Sequence, residues 1–161
     1  DANPVIGMPR DGTTGSVVVT RRGIKNPRPA RMRFVGRRCS GTAGAKPSFV
    51  FAGRAAVASA IELGVQAAGA GRPAILALDT ANANLDLALF GAPGCTAHPL
   101  PIATISLATS AQGTSAANLP IPNQPSLIGG RLFAQYLIVD PGANTLGIIT
   151  SDAVRFDIGQ R

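Results

Sequence analysis

A chain of 161 residues with 45% hydrophobic and only 14% charged side chains can bury a substantial core and is too apolar for global disorder. No apolar run reaches the roughly 18 residues that span a bilayer, so no membrane helix is expected. The formal net charge of +7 is unevenly placed: residues 1–54 carry eleven basic and two acidic side chains, net +9, and the rest is net −2, a split that points to an acidic or self-complementary partner.

Asp1 opens the chain and reads as the mature end left by removal of a signal peptide. Val5, Ile6 and Met8 give the first ten residues a mildly apolar, proline-punctuated arm. Asp11-Gly12 is a turn signal, and Val17-Val18-Val19 within Ser16–Thr20 is a β-branched strand core. Gly23, Pro27 and Pro29 make Arg21–Ala30 an extended connector. Arg31–Val35 predicts a strand with arginines on its outer face, and Cys39-Ser40-Gly41-Thr42 opens a small-residue loop. A short strand follows at Ser48–Phe51. Arg54–Val65 fits either a helix or a strand, with the strand preferred. Gly69–Arg72 is a turn, and Ala74–Asp79 with Asn84–Phe90 predicts a hairpin around Thr80–Ala83.

Gly91–Pro101 is a loop holding Cys95 and His98, and Ala103–Thr109 is a half-buried strand. Gln112–Pro125, with Gly113 and three prolines, leads on without a strand. Arg131–Val139, Leu146–Thr150 and Ala153–Ile158 are strands punctuated by Asp140-Pro141-Gly142 and Ser151-Asp152. In the last, Val154, Phe156 and Ile158 alternate with Ala153, Arg155 and Asp157, which places the first three in a core with Phe34, Phe90 and Leu132. Short strands with turns every 8–15 residues predict an all-β fold, an antiparallel β-sandwich of jelly-roll kind with an extended basic N-terminal arm. Residues 1–38 form the arm and first strands; residues 39–161 form the sandwich body.

The two cysteines, Cys39 and Cys95, both lie in glycine-rich loops and predict one disulfide of an exported protein, the alternative being two buried thiols. His98 is the lone histidine, sits in a proline-flanked loop and reads as a surface residue; no Gly-x-Ser-x-Gly elbow accompanies it. Of the carboxylates, Asp140 and Asp152 read as turn residues and Asp157 as an outer-face residue, so no catalytic constellation emerges. Asp79, Asn82, Asn84 and Asp86 place oxygen ligands at alternate positions, which suits calcium, but a hairpin turn explains the same residues. No cofactor is expected. Arg21, Arg22, Arg31, Arg33, Arg37 and Arg38 form a basic face. With Phe34 as the only aromatic among them, a nucleic-acid partner is disfavoured against a solvated face, an assembly contact or an anionic glycan.

The order Cys39-Ser40-Gly41-Thr42, Gly91-Ala92-Pro93-Gly94-Cys95, Ile121-Pro122-Asn123-Gln124-Pro125-Ser126-Leu127-Ile128-Gly129, Leu132-Phe133-Ala134-Gln135, Asp140-Pro141-Gly142 and a terminal Ser151-Asp152-Ala153-Val154 resembles an uncharacterised secreted domain common in planctomycete-like and myxobacterial-like bacteria. There it often closes larger extracellular proteins. The resemblance covers about residues 37–159 and implies secretion, a β-rich fold and a structural cysteine pair, with no activity attached. The resulting expectation is an extracellular, non-enzymatic structural subunit that self-assembles through its arm. The alternative is a binding module for anionic polysaccharide or another surface polymer.

Overall fold

The computed structural model describes residues 28–160. The expected strand at Ser16–Thr20, and Val5, Ile6, Met8, Arg21 and Arg22, lie outside the described residues. The described chain is all β-strand and short 3-10 turns, and every strand pairing is antiparallel. A five-stranded sheet runs in the order β1 (Arg31–Val35), β10 (Ile148–Asp157), β9 (Arg131–Val139), β4 (Pro73–Asp79), β7 (Ala103–Ala108). A three-stranded sheet of β2 (Ser48–Gly53), β3 (Ser59–Gln66) and β8 (Ser115–Ile121) faces it, and a two-residue ribbon pairs β5 (Leu85–Asp86) with β6 (Thr96–Ala97).

The period of two along each strand decides which side chains meet between the sheets. In β9, Ala134, Tyr136 and Ile138 point at the smaller sheet, and the Tyr136 hydroxyl donates to the Leu63 carbonyl of β3 at 2.7 Å. That bond satisfies a phenol that would otherwise be buried without a partner. Phe49 packs on Tyr136 with ring centroids 5.4 Å apart, and Ile61, Leu63, Val65, Leu76 and Ile149 complete the centre. The sheets are also tied by a polar link: the Phe49 amide of β2 donates to the Asp152 carboxylate of β10 at 2.8 Å.

Several expectations are met and several are corrected. Arg54–Val65 does resolve into a strand, Ser59–Gln66, entered by a turn. Gln112–Pro125 contains a strand after all: Ala117, Leu119 and Ile121 turn inward, while Ala116, Asn118 and Pro120 turn outward. Proline is tolerated because β8 is an edge strand. Asn84–Phe90 is not the second arm of a hairpin with β4. Asp86 accepts a hydrogen bond from the Ala88 amide at 2.9 Å and caps a 3-10 turn, Leu87–Phe90, which Gly91 ends at φ 90°. Ser151-Asp152 is not a turn between two strands but a bulge within one, β10. Ser151 Oγ fills the break by accepting from the Tyr136 amide at 3.0 Å.

Val154 and Phe156 are fully buried, and Ile158 and Leu132 pack half-buried against the core. Phe34 and Phe90, expected in the core, are 54% and 55% exposed. Phe34 sits opposite Val154 on the edge strand, at the margin of the narrower sheet, whose Phe51 ring approaches it at 5.5 Å without covering it fully. Phe90 belongs to the 3-10 turn rather than to a strand.

Candidate functional site

Strand β1 carries the basic segment into the body. Arg31 and Arg33 are exposed on it, and Arg37 and Arg38 follow, also exposed. β1 pairs only with β10, so its other edge is open among the described residues. After Gly36 the chain stays close to β10: the Cys39 amide donates to the Thr150 carbonyl at 3.1 Å, and the Thr150 amide donates to Cys39 Sγ at 3.1 Å. The expected disulfide is present, Cys39 to Cys95, with 4.9 Å between Cα atoms. It fastens the basic segment to the segment that carries β5 and β6.

That segment lies over the outer face of the larger sheet, and one side chain holds it there. Gln135, adjacent to Tyr136 and so on the opposite face of β9, is fully buried. Its Oε1 accepts from the His98 amide at 2.8 Å, and its Nε2 donates to the carbonyls of Thr96 at 2.9 Å and Ser151 at 2.8 Å. A buried amide so satisfied fixes a loop on a sheet more specifically than apolar contact does. This corrects the reading of His98 as a surface residue: it is only 3% exposed. Its Nδ1 donates to Asn82 Oδ1 at 3.0 Å, and its Nε2, against the α-carbon of Gly36, has no partner among the described residues. Gly36 is at φ 73°, and a Cβ there would collide with the imidazole, so glycine is required on both counts.

Burial lowers the His98 pKa from its usual 6.5. The neutral ring is therefore the folded form, and the stability it represents is complete above pH 6.5 and is lost as the pH falls below 6.5 towards the folded value. The free energy of unfolding measured with urea is expected to fall between pH 7.5 and 5.5, by no more than about 1.4 kcal/mol per pH unit, and His98→Gln should remove that component. A wild-type unfolding free energy that does not change over this range would contradict the assignment.

Asp140, read as a turn residue, is also a buried hub. Its carboxylate accepts from the Thr42 amide at 2.8 Å and the Thr42 hydroxyl at 2.6 Å, and it is ion-paired to Arg72. Burial alone would raise its pKa, but the Thr42 bonds and the Arg72 guanidinium outweigh that and hold it below 3.8. Its contribution to stability is thus present above the ordinary carboxylate pKa and is lost only in stronger acid, a window separate from that of His98.

The four residues weighed as calcium ligands are partly engaged elsewhere. Asp79 accepts from the amides of Thr80 and Ala81 at 2.6 and 3.1 Å, Asp86 caps the 3-10 turn, Asn82 serves His98, and Asn84 adopts φ 50°. Among the described residues no three His, Cys, Asp or Glu side chains gather in a way that could hold a metal. Arg31, Arg33, Arg37 and Arg38 pair with no carboxylate among the described residues, where the ion pairs are Arg72–Asp140, Arg131–Asp157 and Arg155–Asp157. Leu89 on the 3-10 turn is 87% exposed, and Ile102, just before edge strand β7, is 70% exposed. No helix of the described residues is long and apolar enough to cross a membrane. The described surface therefore offers an arginine-bearing edge, open among the described residues, and scattered apolar side chains. No family model matches this chain, and no curated protein or solved structure matches it either, so the resemblance noted above rests on its motifs.

Proposed function

We propose that this protein is an extracellular structural subunit, a β-sandwich that self-assembles into a fibre or surface layer, with its N-terminal arm contacting the next subunit. The observation that carries the reading is the outer edge of β1, which is unpaired among the described residues. An unpaired edge offers backbone donors and acceptors to an added strand. Val5, Ile6 and Met8 supply the apolar positions of such a strand, and the +9 segment of one subunit meets the −2 remainder of the next. A head-to-tail contact of this kind builds rings or open filaments. A secreted setting agrees with the disulfide, which persists in oxidising compartments.

Removing residues 1–10 tests the reading by light scattering and electron microscopy. The truncated protein is expected to stay folded and become monomeric. Unchanged polymers, or an unfolded monomer, would place the arm with its own body and refute the assembly role. A second reading, an adhesion module for anionic polysaccharide, is favoured by the exposed Arg31, Arg33, Arg37 and Arg38. It differs in giving small particles that a sulfated polysaccharide resin retains at low salt and releases at high salt, since exposed charges are screened within about 8–10 Å.

A further inference from the structure

Four strands end the two sheets among the described residues: β1 and β7 in the larger, β2 and β8 in the smaller. An edge strand offers unpaired backbone groups, and charge, proline or a bulge usually guards it. β1 carries Arg31 and Arg33, β2 is flanked by Lys46 and Arg54, and β8 contains Pro120, which removes a donor. β7 has no such guard. Its sequence, Ala-Thr-Ile-Ser-Leu-Ala, holds no charge and no proline, and its pairing with β4 runs without a bulge. Residues 87–130 around it contain no Asp, Glu, Lys or Arg. In a chain of net charge +7, this is the side on which two copies approach with least repulsion.

The hydrogen-bond phase of β7 fixes what its outer edge presents. The Thr109 amide donates to the Arg72 carbonyl at 2.9 Å, one step beyond the pair Pro73 and Ala108. Alternation along an antiparallel pair then directs the backbone groups of Ala103, Ile105 and Leu107 to β4 and turns those of Thr104, Ser106 and Ala108 outward. The side chains of these last three are exposed, whereas Ile105 and Leu107 are half-buried against the core. A second β7 can add antiparallel about a two-fold axis normal to the sheet, which keeps each face of the sheet on its own side. One register sets Ile105 of each copy opposite Leu107 of the other. It puts Ser106 on the axis opposite its own mate and Thr104 opposite Ala108, so every outward-turned residue meets another. Ile102, 70% exposed just ahead of the strand, then comes beside Ser110 of the second copy and loses contact with water.

We propose that β7 pairs with β7 of a second copy across this axis, joining two five-stranded sheets into one. The contact lies at the opposite end of the sheet from β1 and does not depend on the assembly reading. A six-residue strand pairing is small among interfaces, so it is weak and reversible, and dilute protein stays unpaired. Covalent trapping in the full chain reads it. Ser106→Cys places two thiols on the axis with Cα atoms about 5.5 Å apart, within disulfide range. Mild oxidation of concentrated protein, followed by a denaturing gel without reductant, is expected to show a linked dimer. It should exceed about tenfold that of Thr104→Cys, whose two copies of the thiol stand about 14 Å apart along the strand. An equal mixture of Thr104→Cys and Ala108→Cys proteins gives a linked dimer that neither gives alone. Because the gel dissolves non-covalent polymers, these results are the same whether or not the arm assembles subunits. Absence of the Ser106→Cys dimer overturns the proposal. Fast amide exchange at Thr104, Ser106 and Ala108 would then leave the edge to water, and slow exchange would assign its cover to the same chain. Equal linkage of Ser106→Cys and Thr104→Cys also overturns it, since that result reports collision and not a register.

Discussion

Phe156→Ala should lower the stability of the protein by roughly 3–5 kcal/mol. Phe156 is 1% exposed, lies on the inward face of β10 next to Val154, and meets the Phe51 ring edge-on at 6.3 Å between centroids. Its removal loses the transfer energy of a whole ring and adds a void to an end of the sandwich that already holds an apolar cavity. β10 has partners on both sides, β1 and β9, so the backbone there has little freedom to collapse inward. For a chain of this size the loss corresponds to a melting temperature lower by roughly 6–20 °C. A melting temperature that does not move would show that this face is not the core.

Opening the Cys39–Cys95 disulfide should cost about 4 kcal/mol, the loop-entropy value for a sequence separation of 56. Strain in the native bond would reduce the figure, so it is an upper expectation. Intact mass with and without reductant checks the bond, and denaturant unfolding of a Cys39→Ala, Cys95→Ala variant checks the energy. The variant should also loosen the segment that buries His98, since Gln135 would then hold it without covalent help. Two freely alkylated thiols in the unreduced protein would remove the premise.

The strands were legible where apolar and polar residues alternate, although in β10 Ala153 on the opposite face is buried as well. Val154 and Phe156 follow the period-2 pattern of β10, and their burial follows from it. Phe34 obeys the same alternation and still emerges exposed, because a five-stranded sheet over a three-stranded one leaves its edge uncovered, a mismatch of widths that no local pattern encodes. β8 was hidden by Pro120 and Gly113, whose turn chemistry outweighed the Ala117, Leu119, Ile121 alternation. The Ser151-Asp152 bulge carries the same polar pair that a turn would.

Of the candidate site, the disulfide was readable from cysteine count and setting, whereas the burial of His98 was not. The one available signal was Gln135, a lone amide in the apolar run Leu-Phe-Ala-Gln-Tyr-Leu-Ile. A polar side chain in such a place requires buried partners. Which backbone would supply them depends on a fold-back of the chain that spacing does not reveal. Asp140 is similar: its turn role is local and visible, while its bonds to Thr42 and Arg72 span 98 and 68 residues.

The parallel bridge of Pro29 with Gln160 has a mechanical meaning. The two ends of the described body, Arg28 and Gln160, thus meet at one point. A force applied between Arg28 and Gln160 bears first on that junction and then on the adjoining end of the β1–β10 zipper, where bonds break in succession. The packed interior, and the covalent ring from Cys39 to Cys95 behind it, lie off the line of pull.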